Sequence, residues 1–251
     1  MRGLIVDIEL KAPDEGRYSE LTDGIISAAY LNKGSNSSNE IVLDYVHFSN
    51  FEDRERYLPV YDFFVLSPQG CPWSSYRAGD VQKLGFLAGI VREHVQIKHL
   101  PVLGICGGHQ FLSMAFGGEV GFIDNSIKSC MESCYTGDCA AERGATIIKT
   151  VREDPIFQGI THHPGTFFVI ENHVEEVKVI PPAFVNLASS RLSRFQLIRI
   201  PGKVVYGTAF HPERGWNHGE TRESSPAPVG KMILANFLKM ADAIRASAHL
   251  N

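Results

Sequence analysis

Residues 101–110 read Pro101-Val102-Leu103-Gly104-Ile105-Cys106-Gly107-Gly108-His109-Gln110. Pro101 to Ile105 is a short apolar run with no polar position, the pattern of a strand covered on both faces. It enters a cysteine flanked by glycines without any spacer. Phe111 to Phe116 then continues with helical spacing and stops at Gly117-Gly118. A buried strand, a one-residue turn and a helix form the repeating unit of a sheet packed between helices, so this stretch decides the fold class.

The same alternation extends upstream. Leu4 to Ile8 reads as a first strand, Leu21 to Leu31 as a helix ending at the Gly34–Asn39 loop, and Ile41 to Phe48 as a second strand. Phe63 to Leu66 is a third strand, entering the turn-rich segment Ser67-Pro68-Gln69-Gly70-Cys71-Pro72, and Val81 to Val95 is an amphipathic helix. The expected architecture is α/β, a doubly wound and mostly parallel sheet with helices on both faces. Downstream, residues 124–140 are polar, rich in Cys and Ser, and without period; they read as an excursion. Ala145 to Thr150, Thr166 to Ile170, Phe195 to Ile200 and Val204 to Phe210 read as strands, the last two joined as a hairpin by Pro201-Gly202. Residues 214–228 are loop-like. Val229 to Ala248 is a terminal helix with Ile233, Leu234, Phe237, Leu238 and Ala241 on one face. No internal repeat or linker interrupts the chain, so residues 1–251 are expected to form one domain.

Bulk composition narrows the function classes. A net charge of −4 gives no reason to expect nucleic acid or an anionic membrane as partner. No apolar run approaches the roughly 20 residues that span a bilayer. The first ten residues, MRGLIVDIEL, carry two acids within an apolar stretch and read as a strand, not a signal peptide. Five cysteines, an odd number with no secretory signal, fit free thiols in the cytoplasm.

Gly104-Ile105-Cys106-Gly107-Gly108 is a G-x-C-x-G segment, the cysteine counterpart of the G-x-S-x-G nucleophile elbow. A sharp strand-to-helix turn strains the backbone of the nucleophile, and small neighbours avoid clashes. The thiol then sits at a helix N-terminus, whose positive end favours thiolate. The Gly107 N–H points to the same space as an oxyanion donor. A thiol needs a base, and the base an orienting group. Phe210-His211-Pro212-Glu213, at the end of the last expected strand, supplies both.

Taken together, Leu103-Gly104-Ile105-Cys106-Gly107-Gly108-His109-Gln110 and Phe210-His211-Pro212-Glu213 resemble the class I glutamine amidotransferases. The resemblance covers most of the chain in order: Tyr61 to Pro68 is similar to the strand and loop carrying that family's second oxyanion donor. Asp154 to Gly159, Asn172-His173 and Glu176-Val177 sit where similar segments sit. It implies a flavodoxin-like fold, a Cys-His-Glu triad and ammonia release through a γ-glutamyl thioester. Carried over by residue, Cys106 is the nucleophile, His211 the general base and acid, and Glu213 its orienting group. Gln110 contacts substrate glutamine, and backbone from Asn172 through Val174 to Glu175 holds its α-amino and carboxylate ends.

Two departures stand out. Gln69 occupies a position where the family's oxyanion loop carries glycine, leaving Gln69 or Gly70 as the second donor. Ala209 stands where a polar residue often precedes the Phe-His-Pro-Glu phenylalanine. Cys130, Cys134 and Cys139 are spaced C-x3-C-x4-C, which matches no zinc or iron–sulfur signature, so no metal and no cofactor is expected. His162-His163, beside Pro164-Gly165, reads as a solvated turn. With no Walker or dinucleotide motif, nucleotide-driven chemistry falls to another chain. Three functions follow: a glutaminase passing ammonia to a separate synthase, a stand-alone γ-glutamyl hydrolase or transpeptidase with the same triad, and a non-catalytic relative. The intact Cys106, His211 and Glu213 set disfavours the third, and the resemblance ranks the first ahead of the second.

Overall fold

The computed structural model describes residues 1–10, 18–31, 40–51, 60–127, 140–160, 165–214 and 227–248. Eleven strands are described: β1 (Arg2–Asp7), β2 (Val42–His47), β3 (Phe63–Leu66), β4 (Val102–Ile105), β5 (Glu119–Phe122), β6 (Glu142–Thr150), β7 (Thr166–His173), β8 (Glu175–Val179), β9 (Val185–Ser189), β10 (Leu197–Arg199) and β11 (Val205–Thr208). Four helices accompany them: α1 (Ser19–Leu31), α2 (Ala78–Ile97), α3 (Gly107–Ala115) and α4 (Ala227–Ala248).

The main sheet has the order β2-β1-β3-β4-β11-β10-β9-β6-β7. Its first five strands are parallel, in the arrangement of a flavodoxin-like sheet. Side chains alternate between two cores, as the pleat requires. Leu4, Val6, Phe64, Leu66 and Val102 join Leu84, Leu87, Val91 and Val95 of α2 and Phe111 and Leu112 of α3. Ile5, Phe63, Val65, Leu103, Ile105 and Tyr206 join Leu21, Ile25 and Ala28 of α1 on the other face, with Ile233, Leu234, Phe237, Leu238 and Ala241 of α4. That α4 face is the one the spacing predicts. Burial on both sides explains why these strands are uninterrupted apolar runs.

From β11 onward the sheet turns antiparallel, through β10, β9, β6 and β7. The Pro201-Gly202 hairpin is present, with Gly202 at φ 75°. Strands β5, β8 and β9 have no counterpart in the sequence reading. Glu119–Phe122 contains a glycine, Glu175–Val179 carries three charged residues, and Val185–Ser189 mixes small and polar residues. None shows clean alternation. Tertiary pairing, β5 with β8 and β9 with β10, forms them instead.

Asp154 to Gly159 brackets the last helix. Asp154 accepts hydrogen bonds from the Ile156 N–H, Tyr206 Oη and Arg199 Nη1. Asn236 of α4 donates to the Ile156 and Gln158 carbonyls at 2.9 and 2.8 Å. The Cys130, Cys134, Cys139 set and His162-His163 lie outside the described residues.

Candidate active site

The carboxyl ends of β1, β3, β4 and β11 converge at one edge of the sheet, where ligands bind in open α/β folds. Cys106 ends β4 and begins α3. Its backbone is at φ 50°, ψ −105°, a region that costs a non-glycine residue on the order of 1–3 kcal/mol. Two backbone hydrogen bonds hold it there: Cys106 N–H donates to Thr208 O at 2.7 Å, and Gln110 N–H to Cys106 O at 3.1 Å. The flanking glycines are sterically required. A Cβ on Gly104 would lie 2.4 Å from Gly108 O, and one on Gly108 would lie 2.2 Å from Leu66 O. One on Gly107 would lie 2.4 Å from Gln69 Cγ. The helix is therefore pressed against the β3 loop closely enough that only glycine fits.

His211 and Glu213 follow β11. The His211 N–H donates to Ile170 O at 2.9 Å, and its Nδ1 pairs with Glu213 Oε1 at 2.7 Å. Two more glycines hold the 211–213 turn in place. A Cβ on Gly230 would meet Pro212 O at 2.4 Å, and one on Gly24 would meet Glu213 Cβ at 3.0 Å. His211, Glu213 and Cys106 are all buried. Burial opposes the Cys106 thiolate, but the His211 imidazole, with a further contribution from His173, outweighs it and holds the thiol below its ordinary range. Burial likewise opposes the His211 cation, and Glu213 together with the Cys106 thiolate overcomes it, raising the imidazole. No aligned hydrogen bond links His211 Nε2 to the sulfur, yet the two groups stabilise each other's charged forms. Both shifts run toward a thiolate–imidazolium pair.

A cleft of about 110 Å³ opens beside the thiol, and Gln69, Gly70, Gln110, Asn172, Val174 and Glu175 all line it, with Cys71, Arg143 and His173. Six of the expected site residues thus share this cleft with Cys106, while His211 and Glu213 line a neighbouring one together with Gln69, Gly70 and Asn172. Gln110 is fully engaged: its Oε1 accepts from Trp73 Nε1 at 2.7 Å, and its Nε2 donates to Glu175 O at 2.7 Å. It braces two walls of the cleft against each other. The Gln69 side chain packs over Gly107 and accepts from Tyr76 Oη at 2.9 Å. The Gly70 N–H is donated to the Glu9 carboxylate.

Several of these residues escape a sequence reading. Glu9 is one of the two acids that look out of place in the first strand, so a signal for it exists. Trp73 and Tyr76 give none, because only the folded loop brings them against Gln110 and Gln69. Among the described residues, Glu142, Glu171 and His173 form one group with the chemistry of a metal site, their ligand atoms within 4.8 Å of one another.

Glu175 carries a testable pH signature. Burial raises its carboxyl from 4.5 to about 7, against the opposing hydrogen bond from the Trp73 N–H. A group that binds its proton more tightly when folded adds stability that is fully present below pH 4.5 and is lost as pH rises through about 7. Glu175→Gln should flatten the dependence of melting temperature on pH across that window, removing a slope worth on the order of 3 kcal/mol. A slope identical to that of the parent chain would contradict the burial argument.

With the geometry in hand, similarity to known proteins is informative. The family model "Glutamine amidotransferase class-I" matches residues 78–239. A glutamine-hydrolyzing GMP synthase subunit of Thermococcus kodakarensis is 32% identical over 155 residues, covering 62% of this chain and 71% of that protein. The Pyrococcus furiosus protein of the same name is 34% identical over 186 residues, covering 72% and 80%. Among solved structures, a Thermotoga maritima glutamine amidotransferase superposes with a TM-score of 0.65 at 19% identity, covering 95% of this chain and 97% of that one. The glutaminase domain of a Trypanosoma brucei CTPS, solved with acivicin, gives 0.64 at 15% identity, covering 95% and 94%. At these identities the two structures speak to the fold alone. No helix among the described residues is long and apolar enough to cross a membrane.

Proposed function

This chain belongs to the class I glutamine amidotransferases, and on that premise we propose that it cleaves the side-chain amide of glutamine with Cys106 and supplies the ammonia to a separate synthase. The observation that carries the reading is the strained backbone of Cys106 at the edge where the buried His211–Glu213 pair also ends.

Attack begins with the Cys106 thiolate on the side-chain carbonyl carbon of glutamine. The carbonyl oxygen becomes an oxyanion, held by the Gly107 N–H and a second donor from the β3 loop. That donor is the Gln69 N–H, or the Gly70 N–H once it parts from Glu9. The His211 imidazolium gives its proton to the departing nitrogen as the C–N bond breaks, leaving ammonia and a γ-glutamyl thioester. His211, now neutral, takes a proton from water as the water attacks the thioester. The C–S bond breaks, glutamate leaves, and thiolate and imidazolium are restored. Glu213 orients the ring at Nδ1 throughout and stabilises its charged form. Asn172, Val174 and Glu175 hold the α-substituents of the substrate, with Gln110 fixing the Glu175 carbonyl in place.

The synthase partner follows from the relatives, whose names describe one component of a glutamine-hydrolysing GMP synthase. Ammonia freed into water is mostly protonated and no longer a nucleophile, so coupling to an acceptor enzyme protects it. Steady-state ammonia release from glutamine, measured for the chain alone and with its synthase partner, tests the reading. Slow hydrolysis that rises at least about tenfold with the partner is the expected result. Rapid cleavage of γ-glutamyl peptides by the isolated chain, with glutamine ignored, would replace it with a stand-alone hydrolase.

A further inference from the structure

A second buried charged cluster stands beside the cysteine, and the steps above do not use it. Glu142 of β6 and His173 of β7 face each other across the antiparallel pair, and Glu171 lies two residues before His173 on the same side. His173 Nε2 is 3.2 Å from Glu142 Oε2 and 3.1 Å from Glu171 Oε2. Its Nδ1 lies 2.8 Å from Glu175 O, the carbonyl that also accepts from Gln110. All three side chains are buried, while His173 also lines the cleft that Cys106 lines. Glu142 is held in turn by Ser190 and Gln196.

We infer that His173 is a positioning residue of this site: a ring paired at Nε2 with two buried carboxylates at ion-pair distance and held at Nδ1 by the Glu175 carbonyl, which fixes the 172–175 wall and places a second positive charge at the cleft that Cys106 lines. The inference rests on the glutaminase reading for its purpose but not for its test. Two carboxylates in a dry interior demand a cation, and the His173 ring meets that demand by proximity, with Nδ1 donating to the Glu175 carbonyl and Nε2 within ion-pair distance of both acids but aligned for a hydrogen bond with neither. The titratable groups around it are Glu142, Glu171, the Cys106 thiol and His109 of α3. His109 is held neutral, its value lowered to about 3 chiefly by burial and then by His173 itself. Around the thiol stand His211, His173 and Glu171. The charge on His173 favours the thiolate, and Glu171 opposes it.

His173→Asn separates the two tasks, because the Asn amide can still donate to the Glu175 carbonyl but carries no charge. The readouts are the pH profile of Cys106 alkylation by iodoacetamide, followed by peptide mapping, and the split of kcat from KM on glutamine. The expected result is an alkylation midpoint moved to higher pH, roughly tenfold slower alkylation at pH 7, and a lowered kcat with little change in KM. His173→Ala should raise KM as well. Should the unpaired carboxylates prevent His173→Asn from folding, the double variant with Glu171→Gln removes one of them and is read against Glu171→Gln alone, because that change by itself favours the thiolate. An unchanged alkylation profile in a folded variant overturns the inference. So does a stoichiometric divalent metal that is lost in His173→Asn, because the ion would then carry the charge. A chain that never hydrolyses glutamine, yet shows the shifted alkylation profile, would reject the glutaminase reading and leave this one standing.

Discussion

Cys106→Ser will lower glutamine hydrolysis by roughly 10⁴-fold or more while leaving the melting temperature within about 2 °C of the parent chain. The exchange removes almost no volume, and serine tolerates the same turn. The chemistry is what it removes. In the parent site His211 draws the thiol toward thiolate, and Glu213 with Cys106 draws His211 toward its protonated form. Serine has no comparable tendency to ionise, so the hydroxyl would need a neutral base at the moment of attack. The buried Glu213 beside His211 favours the charged ring and works against that state. Turnover above a few per cent of the parent rate would mean that another group carries the covalent step.

The second large effect belongs to His211. His211→Asn should cost at least about 10²–10⁴-fold in kcat, the ordinary yield of a positioned acid–base, with a further loss because the thiolate also loses its counter-ion. The same variant should move the alkylation midpoint of Cys106 to higher pH, since His211 is the strongest influence favouring the thiolate. Glu213→Gln keeps a partner for Nδ1 but removes the charge, and should fall between this variant and the parent. A harmless Glu213→Gln beside an inactive Asp154→Asn would misplace the orienting carboxylate. The structure gives Asp154 a different task, capping the turn that receives α4.

Much of this site is legible in the sequence because its chemistry and its packing use the same residues. The glycines around Cys106 are short-range signals, and each is explained by a contact under 3 Å that a Cβ would make. His211 and Glu213 are two residues apart at the end of a strand, so proximity in sequence becomes proximity in space. The parallel half of the sheet is equally legible, since burial on both faces writes unbroken apolar runs. The antiparallel half is harder. Strand β8 starts with Glu175-Glu176, whose side chains are buried at 6% and 8% exposure, and no pattern rule places two acids there. Trp73, which donates to both Gln110 and the Glu175 carboxylate, lies far from both in sequence. The Glu142–His173 pairing depends on the register of a strand pair with a long connection between its members.

The Glu9–Gly70 contact illustrates the same limit. From the sequence, Gln69 and Gly70 are equivalent candidates for an oxyanion donor. In the fold, Gly70 gives its N–H to a carboxylate just past β1, and Gln69 is packed over Gly107 under Tyr76. The acid that occupies the Gly70 N–H stands some sixty positions away in the chain.

In the proposed mechanism the γ-glutamyl group of the substrate becomes covalently attached to one sulfur. The most direct measurement is peptide mass spectrometry of the chain after incubation with a glutamine analogue bearing an electrophilic carbon at the side-chain end. Cys71 provides an internal control, because it is a second cysteine lining the same cleft. The expected result is a single adduct on the peptide containing Cys106, suppressed by excess glutamine and missing from Cys106→Ser. An adduct shared equally with Cys71, or one that persists in Cys106→Ser, would contradict it.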